Sequence, residues 1–187
     1  MKYKLFLVFT SLIFVCLTAS KCKKDKPPVD PVSQLPPETQ TGANTFGCLV
    51  DGKVFVPKGA PFSGPSLQCA YQYLDNGSSK GFYFQLSASH RYSTQNIKSL
   101  AIGTENLKLK EGAFILEDAF HDGNAFGLFS ESGTANYTQK NLPGLLTITK
   151  FDEINQIVSG TFWFSVVKSS EDTIQITNGR FDMQYTK

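Results

Sequence analysis

The chain has 187 residues, which suits one folded domain plus a targeting sequence. Its formal charge of +2 belongs to the start of the chain: residues 1–21 contain Lys2, Lys4 and Lys21 and no acid, so their removal takes the charge to −1. Lys2, Lys4, Lys21, Lys23, Lys24 and Lys26, with Asp25, Asp30 and Glu38, all precede Thr45, leaving 12 basic and 13 acidic residues beyond it; a balance that even lacks the electrostatic footprint of nucleic-acid binding, and no nucleic-acid partner is expected.

Lys2 and Lys4 form a positive n-region, Leu5 to Leu17 an apolar run, and Ala19 and Ser20 supply small residues near a cleavage point. The run is shorter than the ~20 residues that a membrane-spanning helix needs, so 1–21 reads as an export signal. Cys22 follows it, then a charged cluster and a polar stretch. This arrangement resembles the start of Gram-negative lipoproteins, in which such a cysteine becomes the lipid-bearing first residue. Lys21 stands where that pattern has a small residue, and Ala19 where Leu is usual. Cys16, preceded by Phe14 and Val15 inside the apolar run, fits less well. The resemblance implies a membrane anchor at Cys22; the alternative is plain secretion after Ala19 or Ser20.

Residues 22–44 read as a tether. Pro27, Pro28, Pro31, Pro36 and Pro37 favour extended backbone, and the composition offers little to a core. The 22 residues after Cys22 would extend to the order of 60–70 Å, holding a lipid-anchored domain clear of the membrane.

The folded domain is expected at 45–187. Phe46 to Val50 and Lys53 to Val56 flank Asp51-Gly52, a tight hairpin turn. Pro57, Pro61 and Pro65 with Gly59 and Gly64 mark a loop. Leu67 to Leu74 and Gly81 to Ser89 make a second hairpin, with Phe82, Phe84, Leu86 and Ala88 alternating with Tyr83, Gln85 and Ser87. Further strands are expected at 99–102, 112–116, 125–130 and 135–140, with a short helix over 95–101 as an alternative to the first. Glu117 to Asn124 reads as a polar loop. Leu145 to Tyr185 is the strongest strand signal: Leu145 to Phe151, a loop at Asp152 to Gln156, then Gly160, Phe162, Phe164 and Val166 facing opposite to Ser159, Thr161, Trp163 and Ser165. In the last strand Phe181, Met183 and Tyr185 oppose Arg180, Asp182 and Gln184, and Asn178-Gly179 predicts a bulge or bend. About ten short strands with turn signals indicate an all-β fold, an antiparallel β-sandwich or small barrel. Strands this short, broken by Gly and Pro, do not suit an outer-membrane barrel.

Cys48 and Cys69 are the cysteines of the domain, and in an exported protein an even pair reads as a disulfide, which would close a loop of about 20 residues and stabilise by about 3 kcal/mol. The alternative is two buried thiols too far apart to bridge. The paired spacing of a zinc site is absent, since His90 and His121 lie far apart.

Chemistry is sparse. Asp118, His121 and Asp122, and again Asp152, Glu153 and Asn155, could face a cation, but neither has calcium-loop spacing, and a solvated loop is the simpler reading; no metal and no cofactor is expected. Glu105, Glu111, Glu117 and Asp118 are the carboxylates that a glycosidase-like site would draw on. No nucleophile elbow or triad context is present, and no catalytic residue is assigned. The sequons at Asn76 and Asn136 matter only in a eukaryotic secretory pathway. Trp163 is the most informative side chain. It shares a face with Thr161 and Ser165, where it could stack on a sugar or a partner, with Tyr83, and also Tyr71, Tyr73 and Tyr92, extending the platform; the competing reading is a covered core tryptophan. Arg180 and Asp182 read as a structural ion pair.

The segments TFGCLVDGKVFVP near Thr45, and SGTFWF and ITNGRFDMQY near the end, resemble an uncharacterised family of small β-rich Gram-negative lipoproteins. The resemblance implies a signal peptide, a tether and one β-rich domain, and carries over no activity. The expectation is an exported cell-envelope protein, anchored in the outer membrane, that binds a glycan, small ligand or partner protein without catalysis. A hydrolase acting on an envelope or environmental polymer and a purely structural lipoprotein are the alternatives. Oligomeric state is open.

Overall fold

The structure is a computed structural model that describes residues 29–59, 64–75, 77, 80–93 and 95–187; the export signal and Cys22 lie outside the described residues. After one 3-10 turn, Pro31–Gln34, the chain forms eleven strands: β1 Thr45–Val50, β2 Lys53–Phe55, β3 Leu67–Asp75, β4 Lys80–Arg91, β5 Ile97–Thr104, β6 Gly112–Leu116, β7 Ala125–Glu131, β8 Thr134–Tyr137, β9 Gly144–Asp152, β10 Ile157–Val167 and β11 Thr173–Gln184. The fold is all-β, as the turn-punctuated pattern predicts. The segment 97–104 is a strand, so the helical alternative for 95–101 is set aside.

All strands belong to one sheet in the order β2-β1-β11-β10-β9-β6-β7-β5-β4-β3, with β8 paired to β7. Neighbours are antiparallel except β6 and β7, which meet at Leu116 and Ala125. The sheet is not closed. It rolls until its far edge meets the C-terminus: Tyr71 N–H donates to the Thr186 carbonyl (2.9 Å) and Thr186 N–H to the Cys69 carbonyl (3.1 Å).

Strict alternation makes the inner face. Val158, Gly160, Phe162, Phe164 and Val166 of β10 are buried, as are Phe181, Met183 and Tyr185 at the end of the chain. They meet Phe84 and Leu86 of β4, Leu100 and Ile102 of β5, Phe129 of β7 and Leu146 and Ile148 of β9 in one core. Each such apolar side chain contributes about 1.5–3 kcal/mol on burial.

The predicted bulge is present. Phe162 faces Gly179 and Phe164 faces Ile176, so Trp163 stands opposite two residues, Thr177 and Asn178. Seen from β1, the same offset lies between Gly47 and Leu49. Asn178 adopts φ of 53° there, a left-handed conformation that Asn tolerates.

Two expectations are corrected. First, the domain begins before Thr45. Leu35 is buried, and Pro36 lies over Gly47 so closely that a Cβ on that glycine would stand 2.6 Å from Pro36 Cδ. Residues 30–44 form a strap along β1 and β11, so the tether read at 22–44 is packed over its last 15 residues. The strap's polar backbone finds acceptors on the sheet: Thr41, Gly42 and Ala43 donate N–H groups to the Asp182 carboxylate, which composition does not reveal. Second, Cys48 and Cys69 are free buried thiols and form no disulfide. Both sit at inward positions of β1 and β3, among apolar side chains of the core. Burial raises both thiols, Cys69 to about 12, far above the range of a reactive cysteine.

Candidate functional site

Trp163 lies on the outer face of β10 and is 50% exposed. The bulge carries it outward between flanking inward residues, Phe162 and Phe164, that are both buried. Gly179 makes room on the inner side: a Cβ there would meet the Phe162 ring at 2.4 Å. Beside the indole is a shallow depression of about 300 Å³, lined by Trp163, Thr147, Thr161, Asn178, Arg180 and Glu38. Thr147, Thr161 and Arg180 form one cross-strand row over β9, β10 and β11. Glu38 arrives from the strap. An exposed ring is thus surrounded by two hydroxyls, an amide, a guanidinium and a carboxylate.

A second row runs from Trp163 to Leu145 and on to Ile115, since these residues face one another across β10, β9 and β6. Ile115 is 61% exposed, so the indole ends an apolar stripe on the outside of the sheet.

The other tyrosines do not join the platform. Tyr83 is half-buried on β4, and the sheet order places β9, β6, β7 and β5 between β4 and β10. Tyr71 is buried against Phe82, Phe151 and Tyr185, and its hydroxyl accepts from Leu109 N–H at 3.2 Å. Tyr73 and Tyr92 are exposed on β3 and after β4, with Tyr92 stacked 4.1 Å from His90. The platform reading therefore narrows to Trp163.

Arg180 and Asp182 do not pair. Arg180 Nη1 stands 3.9 Å from Glu38 Oε1, and its Nε is buried without a hydrogen-bond partner. Asp182 accepts from hydroxyls and amides alone among the described residues: Thr39 Oγ1 (2.6 Å), Thr41 N (2.9 Å), Thr41 Oγ1 (3.3 Å), Ala43 N (3.2 Å), Gly42 N (2.8 Å) and Ser159 Oγ (2.8 Å). Burial pushes this carboxyl up, but hydrogen bonds from Thr39, Thr41, Ser159 and Ala43 outweigh it and hold it well below the usual range. It is an anchor for the strap, with no open side toward a ligand.

Three of the other candidate carboxylates serve local structure. Glu111 accepts from Phe151 N–H (3.2 Å) and Asp118 from Lys140 N–H (3.0 Å). Asp152 caps its hairpin through Ile154 and Asn155. Burial, with the charge of Asp122 second, raises Glu105. His90 Nδ1 lies 2.9 Å from the Val56 carbonyl. Among the described residues no three His, Cys, Asp or Glu converge as metal ligands. Phe120, passed over inside a polar loop, is 71% exposed, with its ring 5.2 Å from Tyr137; the aromatic residue in an otherwise polar run was the available signal.

No family model matches the chain, and no curated protein or solved structure does either.

Proposed function

We propose that this is an exported cell-envelope protein, lipid-anchored at Cys22 in the outer membrane, whose domain binds a glycan on the depression beside Trp163. The observation that carries the binding reading is the half-exposed Trp163, lifted out by the β10–β11 bulge beside polar side chains of both hydrogen-bonding senses. An aromatic face offers area for a sugar's C–H face, while hydroxyl, amide and charged groups orient its hydroxyls. The resemblance of the start to Gram-negative lipoproteins supports the anchor.

Trp163 is the only tryptophan, so emission excited away from tyrosine reports on this site. The expected result is red-shifted emission, ready quenching by acrylamide, and a change on adding a binding oligosaccharide from a panel. Blue-shifted, protected emission indifferent to every sugar sinks the reading. A second reading, a protein partner, is favoured by the stripe from Trp163 to Ile115. It predicts that I115E removes binding to the partner while leaving sugar-induced fluorescence changes intact.

A further inference from the structure

We propose that the saccharide taken beside Trp163 is acidic, with Arg180 receiving its carboxylate. This rests on the sugar-binding reading and narrows its ligand class. Arg180 has a side chain only 16% exposed, and its buried Nε–H calls for a hydrogen-bonded partner. It is under-supplied. Nε has none, and the Glu38 carboxylate, whose side chain is 62% exposed, stays at 3.9 Å, beyond hydrogen-bond length. The residues facing Arg180 across the sheet are Gly47 and Thr161, neither an anion. The nearest buried carboxylate, Asp182, is occupied by the strap and Ser159.

The guanidinium fork matches a planar carboxylate in bidentate fashion. Trp163 follows Thr161, the cross-strand partner of Arg180, by two residues. The two side chains line the same depression, so a single ligand can reach both. A ring stacked on the indole can direct its carboxylate to Arg180, displacing the loosely held Glu38. A neutral sugar would leave the guanidinium as it is.

The test uses the full chain in a polyoxyethylene detergent, which presents no sugar of its own, and reads Trp163 emission. Uronate oligomers (galacturonate, mannuronate and a hyaluronan tetrasaccharide) are titrated beside the same oligomers with their carboxyls methyl-esterified. At least one free acid is expected to bind about tenfold or more tighter than its ester, the size of one charge-assisted contact. R180Q should abolish that difference. E38Q, which removes the carboxylate that competes for Arg180, should tighten the acid by a larger factor than it changes the ester, so that the acid-to-ester ratio rises a few-fold. Equal binding of acid and ester, a difference that survives R180Q, or binding of neutral sugars alone overturns the acidic assignment and leaves sugar binding standing. Indifference of Trp163 emission to acids, esters and neutral sugars overturns both.

Discussion

Gly42 and Asp182 lie 140 positions apart and are joined by a 2.8 Å hydrogen bond from the Gly42 N–H to Asp182 Oδ1. That contact and its neighbours make the strap part of the domain. Replacing Asp182 with Ala would leave the Thr41, Gly42 and Ala43 amides without their acceptor. The expected cost is about 2–4 kcal/mol, since hydrogen bonds to a buried charged group each contribute about 1.5–3. Urea unfolding of D182A against the parent checks it. A Glu-specific protease should also cut after Glu38 faster in the variant.

The same carboxylate gives an acid sensitivity. Its folded pKa is depressed, so ionised Asp182 contributes stability that is fully present above the unfolded carboxylate value of about 4. That contribution is lost as pH falls from there toward the lower folded value. The urea midpoint is therefore expected to drop as pH falls below about 4, and D182N to show a shallower drop. Parallel slopes for the two proteins would remove Asp182 as the source.

Gly47 tests the strap without touching Asp182. A Cβ at Gly47 would meet Pro36 Cδ at 2.6 Å, so G47A should lift the strap at a cost of about 1–2 kcal/mol. Because the clash is pairwise, adding P36A should restore at least about 0.5 kcal/mol of the loss. A double mutant whose losses simply add would contradict the contact.

Cys48 and Cys69 are buried with raised pKa values. An aromatic disulfide reagent should leave both unmodified in the native protein and titrate both after unfolding in urea. Reducing agent should leave the thermal midpoint unchanged. A lower midpoint on reduction would indicate a bond between them.

Much of the fold can be read along the chain because a strand's faces are a local property. The alternation through Phe162, Phe164 and Val166 and the Asn178-Gly179 bulge needed only neighbours in sequence. What lay hidden was non-local. Asp182 alternates with core residues and reads as the ion-pair partner of Arg180; it is instead held by a segment 140 positions earlier that folds over it. That segment is polar and proline-rich, a composition of unpacked chain, yet one carboxylate satisfies three of its amides. Cys48 and Cys69 occupy core positions in β1 and β3, and spacing along the chain carries no distance between strands. Trp163 was legible as outward-facing, but Tyr83 could be separated from it only by the strand order. Arg180 and Glu38 were missed as neighbours for the same reason.

Fixing residues 30–44 to the sheet shortens the leash. On the proposed anchor at Cys22, seven residues, Lys23 to Val29, separate the lipid from the strap, and seven residues reach at most about 22 Å at polyproline spacing, against the 60–70 Å of an unpacked tether. With that anchor, a domain on so short a lead would not tumble freely. It would ride close to the bilayer with its Asp30 end inward, sampling a narrow cone of orientations and meeting only polymers that pass near the membrane.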